Sequence, residues 1–204
     1  DYITFYSNEQ NVIYRKAELS FRTQVRSQTG IHPTGNFCQD DQLHIMASSN
    51  YVAGIDSVNS VRSATWTEIT GRFTLCVNQC SSSTDYAESG IADITDVFES
   101  GKPLYIAFKY VNKPNTDYGN ANIWRFSNYE MYSVEGALKT PLATQTTVTW
   151  KPVFIDGDWS ETGRFESITT RVTMRGPTYS EVEQELWAVS TGVTFEAQTE
   201  IDGD

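Results

Sequence analysis

Trp159 lies in the run IDGDWSETG (residues 155–163), between two glycines and beside the carboxylates of Asp156, Asp158 and Glu161. An aromatic ring in so polar a loop is expected at the surface. There its face stacks on the C–H face of a sugar, while nearby carboxylates and amides accept hydroxyl hydrogen bonds. Tyr118 and Asn120, in NTDYGNAN, and Tyr86, in TDYAES, offer the same chemistry more weakly. The competing expectation for Trp159 is a ring packed on its own hairpin, or held at a contact with another protein. Asp156, Asp158 and Glu161 are also the best oxygen-rich cluster for a hard cation such as a structural calcium. The twelve-residue calcium-loop spacing is not met, however, and two or three acids in one turn are usually a solvated loop.

A second group of acids, Glu181, Glu183 and Glu185, occupies alternate positions. On a strand these would share one face, the arrangement in which a glycosidase sets nucleophile against general acid. Ser180 three residues before Glu183 also fits a helix capping box, which would make the segment a helical turn ahead of Trp187. A solvated charge run is the ordinary outcome for such a stretch. Cys76 and Cys80 stand four apart and Cys38 lies far from both, with His32 and His44 not spaced to complete a zinc set. A Cys76–Cys80 disulfide in an exported protein and free, partly buried thiols both remain open. His44 falls on the polar side of its strand, opposite Leu43 and Ile45, and no phosphate-cradling glycine loop is present.

These residues are carried by strands. The chain has 204 residues, 13% aromatics, a net charge of −11 and a pI near 4.6. That charge disfavours nucleic acid, whose backbone is recognised by basic surfaces, and no apolar run is long enough to span a membrane as a helix. Residues 18–26, ELSFRTQVR, alternate with Leu19, Phe21 and Val25 inward. Residues 104–111 alternate likewise, with Leu104, Ile106, Phe108 and Tyr110 on one face, after a short turn that Thr95 can cap. Further strands are expected at 2–7, 12–15, 42–48, 64–75, 122–134 (bulged near Asn128), 147–155, 165–174 and 186–196. Residues 139–146 read as a connection. Trp66, Trp124 and Trp187 fall within strand patterns and are expected in the core. No helix longer than about two turns is supported. Many short antiparallel strands with loops at both ends make one domain over residues 1–204, an all-β antiparallel sandwich of jelly-roll, galactose-binding-like type.

The segments ITFYSNEQNVIYR, AELSFRTQV, QLHIMASSNY, ATWTEITGRFTL, ADITDVFESGKPLYIAFKY, NIWRFSNYEMY and ELWAVSTGV, in that order, resemble the jelly-roll domain of Bacteroidota cell-surface lipoproteins, related to choice-of-anchor J and MAM-like sandwiches. The resemblance implies export to the outer-membrane surface, anchorage by a lipid upstream of Asp1, and a place beside SusC/SusD-like glycan importers. It also suggests a calcium site joining the Ser7–Glu9 loop to Asn128, which Asn at positions 50 and 128, where related sandwiches carry Asp, weakens. The leading expectation is a non-catalytic module capturing glycan or polysaccharide, with Trp159 and Tyr118 as stacking platform and Asp156, Asp158 and Asn120 as polar partners. The second is a structural domain docking on protein partners without binding sugar. The third is a weak glycoside hydrolase using Glu181 and Glu185.

Overall fold

A computed structural model of the chain describes residues 11–27, 39–54, 57–76 and 85–201. In chain order the strands are β1 (Asn11–Tyr14), β2 (Lys16–Ser27), β3 (Leu43–Ser48), β4 (Thr67–Glu68), β5 (Ala87–Glu88), β6 (Ala92–Asp93) and β7 (Tyr105–Asn112). They continue as β8 (Asn122–Glu135), β9 (Leu138–Thr144), β10 (Trp150–Ile155), β11 (Phe165–Ile168), β12 (Arg171–Arg175), β13 (Gln184–Ser190) and β14 (Gln198–Ile201). Two short helices, α1 (Ser57–Ser63) and α2 (Asn115–Tyr118), sit in the connections.

Two antiparallel sheets form a β-sandwich, as the strand pattern implied. One sheet runs β10-β13-β7-β3-β4; the other runs β11-β12-β8-β2-β5, with β6 also on β2 and β9 on β8. The chain passes repeatedly from one sheet to the other, and β1 pairs with β14 as a separate ribbon. Alternation on the central strands buries Leu19, Phe21 and Val25 against Ile106, Phe108 and Tyr110. Phe108 stacks on Phe126 at 3.8 Å between ring centres, with Phe21 and Trp150 edge-on to Phe108. The edge contacts are the ones that the ring quadrupole favours.

The outer face of the five-stranded sheet is covered too. Tyr51, Val61 and Trp66 lie over Ala107, Trp187 and Val189, which makes a second, smaller core. Trp124 and Trp187 are buried as expected, whereas Trp66 is half-buried in that cover, its Nε1 donating to the Val61 carbonyl at 3.0 Å.

The bulge near Asn128 is present. Between Ser20 and Arg22 on β2, the facing strand advances from Glu130 to Ser127, one residue too many, and Asn128 takes φ +49°. Asn tolerates that left-handed conformation better than other non-glycine residues.

Three local expectations are corrected. Residues 64–75 contain only the two-residue β4 and a 3-10 turn at Thr70–Arg72, because Thr70 turns its hydroxyl onto the Ile45 amide and ends the ladder. Residues 139–146 are largely β9, hairpinned to β8 through Gly136 at φ +57°. Thr95 does not cap its turn: its hydroxyl donates to Asp93 and accepts from the Ala17 amide, and Ile94 occupies the cap position. The expected strand at 2–7, His32, Cys38, Cys80 and the Ser7–Glu9 loop lie outside the described residues.

Candidate functional site

At one end of the five-stranded sheet, β3 begins, β7 ends, β13 begins and β10 ends, so four connections meet there. A buried amide network braces them. Gln39 Nε2 donates to the carbonyls of Lys113 (2.7 Å) and Gly119 (3.1 Å), and its Oε1 accepts from the Lys113 amide (2.7 Å). Gln42 Oε1 accepts from both the main-chain and side-chain N–H of Asn122 at 3.1 Å. The Tyr110 hydroxyl donates to the Asn122 carbonyl (2.9 Å) and accepts from the Gly176 amide (3.1 Å). Complete burial pushes the Tyr110 phenol far up, so it remains a neutral donor and acceptor. A Cβ at Gly176 would lie 2.7 Å from that hydroxyl, so the position requires glycine for close approach.

On this base stand the loops that hold the sequence-chosen residues. Helix α2 is fixed to the Gly176–Gln184 connection by Asn115: its amide donates to the Ser180 carbonyl (2.9 Å) and its Oδ1 accepts from the Ser180 amide (2.7 Å). The two loops thereby present Tyr118, 45% exposed, and Tyr179, 41% exposed, with Val182 also open to solvent. Lys113 Nζ lies 5.2 Å from the Tyr118 ring centre. The Asp156–Arg164 loop is tied to the same connection, because the buried Arg164 guanidinium meets both the Gly176 carbonyl and Glu161, and Glu161 accepts from Thr178. Burial, with Arg175 nearby, pulls the Arg164 guanidinium below its usual value.

Trp159 is not the free ring expected of its loop. It is half-buried, folds back on Phe154 at 5.3 Å, and donates Nε1 to the Asp156 carbonyl at 2.7 Å. The hydrophobic return from the loop to its own strand outweighs exposure of so large a ring. Asp156 pairs with Arg62 at 2.7 Å. Asp158 accepts from the Ser160 amide at 2.8 Å, and the Ser160 hydroxyl and amide hold its carboxyl below the ordinary range. Asp156, Asp158 and Glu161 thus turn to separate partners, and no group of three or more metal-ligating side chains occurs among the described residues. Asn120 is half-buried, its backbone carbonyl accepting from the Gln39 amide and its Oδ1 enclosed. It belongs to the brace rather than to the open surface. Tyr86 is half-buried on the opposing sheet's margin.

The acidic run resolves differently from either expectation. Glu181 and Glu183 lie exposed ahead of β13, and only Glu185 is on the strand. Ser180 Oγ donates to the Val182 carbonyl, closing a local turn instead of capping a helix. Glu185 is engaged by Lys109 Nζ at 2.6 Å and Trp187 Nε1 at 2.7 Å. The alternation that would align three carboxylates on one face is therefore broken at Glu183. His44 meets Glu68 at 2.9 Å through Nδ1, and Cys76 is a free, half-buried thiol. Tyr179, which the sequence argument passed over, carries the same signal as Tyr118: an aromatic in a turn, here Gly176-Pro-Thr-Tyr179.

The fold and this braced loop end place the chain among antiparallel β-sandwich proteins. It belongs to the family described as Domain of unknown function (DUF5017), whose model matches residues 1–150. No curated protein and no solved structure matches it. The family match stops at the first residue of β10, so Trp159, Tyr179 and β13 lie beyond it, although β13 is hydrogen-bonded between β7 and β10.

Proposed function

We propose that the chain is a non-catalytic carbohydrate-binding module, and that sugar lies across the loop end bearing Tyr118 and Tyr179. The observation that carries this is the pair of exposed tyrosines held on two loops by the Asn115–Ser180 bonds. Loops already fixed in place lose little freedom on binding, and tyrosine offers both a stacking face and a hydroxyl. Asp117, exposed beside Tyr118, adds an acceptor for sugar hydroxyls. With the resemblance to surface lipoproteins, the role is capture of polysaccharide for a SusC/SusD-like importer at the outer-membrane surface.

The test is retention of neutral polysaccharides in affinity electrophoresis by the wild type, Trp159→Ala and Tyr118→Ala/Tyr179→Ala. A polysaccharide that retards the wild type and not the double variant supports the module. No retardation by any polysaccharide, or equal retardation of the double variant, overturns it. Val182, exposed next to this pair, favours one competing role: the same end as a docking point for a protein partner.

A further inference from the structure

The opposite end of the five-stranded sheet holds a cleft of about 190 Å³. Its floor is Val189, on the outer face of β13 and level with Ala107 on β7 and Lys151 on β10. Its walls are Tyr51 and Tyr105, whose rings meet edge-to-face at 5.0 Å. Thr149, Thr191 and Lys151 form the rim.

Three features separate this cleft from an ordinary surface dent. Tyr51 is only 7% exposed, yet its hydroxyl finds no hydrogen-bond partner among the described residues and is not sealed from solvent. Burial, and then the neighbouring Tyr105, push the Tyr51 phenol up, so it stays a neutral donor. Next, Gly192 lets the main chain lie against the ring of Tyr105: a Cβ there would stand 2.9 Å from both that ring and Pro103, so the wall is set by close packing. Finally, Lys151 is exposed and pairs with no carboxylate among the described residues, and no acid lines the cleft. In a chain of net charge −11 this is a local positive point.

We propose that this cleft is a second subsite, specific for a single terminal acidic sugar residue. The carboxylate meets Lys151, the sugar ring lies on Tyr105, and its hydroxyls accept from Tyr51 and the rim threonines. The volume is below the roughly 300 Å³ at which pockets for drug-sized ligands begin, which suits one ring rather than a chain. Charge sets the same limit. Beyond about 8 Å the field of one lysine is screened at physiological salt, and further acidic residues of a polyanion would meet the acidic surface instead. The subsite rests on the carbohydrate-binding function proposed above, but it lies at the opposite end of the five-stranded sheet from the loops bearing Tyr118 and Tyr179, so each can fail alone.

The experiment is NMR titration of the whole chain with galacturonate and with galactose, on the wild type, Lys151→Met and Tyr118→Ala/Tyr179→Ala. Galacturonate is expected to bind the wild type more tightly than galactose and to shift signals of Val189 and Thr191. Lys151→Met, an exposed substitution that leaves the core intact, should weaken galacturonate by about tenfold or more and leave galactose unchanged. The double tyrosine variant should bind galacturonate as the wild type does. Equal binding of the two sugars, no binding of galacturonate, or shifts confined to the Tyr118 end would each overturn the subsite. Loss of polysaccharide retention by the double tyrosine variant alone bears on the other end and leaves this one standing.

Discussion

Replacing Tyr110 by Phe tests whether the buried network is what holds the loop end. The change removes one oxygen and creates no cavity of note, but the Asn122 carbonyl loses its donor at 2.9 Å and the Gly176 amide its acceptor at 3.1 Å. Each of the two backbone groups left without this partner in the interior costs about 1–3 kcal/mol, so the variant should lose about 2–6 kcal/mol. For a chain of this size that lowers Tm by roughly 4–24 °C. Urea unfolding followed by tryptophan fluorescence gives the free energy. Hydrogen exchange locates it, with faster exchange expected at residues 113–122 and 176–183 and little change on β2. Gly176→Ala supplies a sharper check. Its new Cβ would stand 2.7 Å from the Tyr110 hydroxyl and 3.1 Å from Asn112 Cγ. With Phe at position 110 the nearer of these clashes is gone, so the double variant should be more stable than the sum of the single losses predicts, by about 0.5–3 kcal/mol. A Tyr110→Phe loss under about 0.5 kcal/mol, or strict additivity with Gly176→Ala, would refute the network as the brace.

Asn128 holds φ +49° at the bulge opposite Phe21. Asn128→Gly should therefore be neutral or slightly stabilising and Asn128→Val should cost about 1–2 kcal/mol in urea unfolding; equal effects would mean the left-handed residue carries no strain. Acid should destabilise the fold in a defined window. Arg72, bonded to both Asp96 oxygens at 2.6 and 2.7 Å, holds that carboxyl below its ordinary value. The Thr95 hydroxyl does the same for Asp93, and His44, then Thr70, for Glu68. Because the folded values lie below the unfolded ones, this stabilisation is complete above the unfolded values near pH 4 and is lost as pH falls through the folded ones. Asp96→Asn should flatten the acid limb of a stability–pH curve; an unchanged limb would count against the Arg72 pairing.

The central strands were legible because alternation reports which residues face the inter-sheet core. Leu19, Phe21 and Val25, and Ile106, Phe108 and Tyr110, point where their spacing says. The bulge at Asn128 was legible from a break in that alternation. Residues 64–75 were not, because their β-rich composition is overridden by side chains that bond main chain locally, Thr70 above all. The loop end was half legible. Turn composition located Tyr118, but whether a loop ring faces water or folds back depends on what lies beneath it. For Trp159 that is Phe154, a partner no local pattern reveals. Gln39 and Asn112 read as ordinary polar loop residues and Gln42 and Asn122 as polar strand ends, since a buried amide network has no period. The cleft between Tyr51 and Tyr105 was hidden for the same reason, its walls coming from segments distant in sequence.

The position of β13 has a consequence for how the molecule comes into being. Gln184–Ser190 follows every other strand of the two sheets in chain order, yet it inserts between β7 and β10. Until it leaves the ribosome, Tyr105–Asn112 presents one row of main-chain N–H and C=O groups with nothing to receive them. This sandwich therefore closes only once the chain through Ser190 has emerged, rather than growing strand by strand from its N-terminal side. A nick between β12 and β13 would likewise open the sheet through its middle instead of trimming its margin.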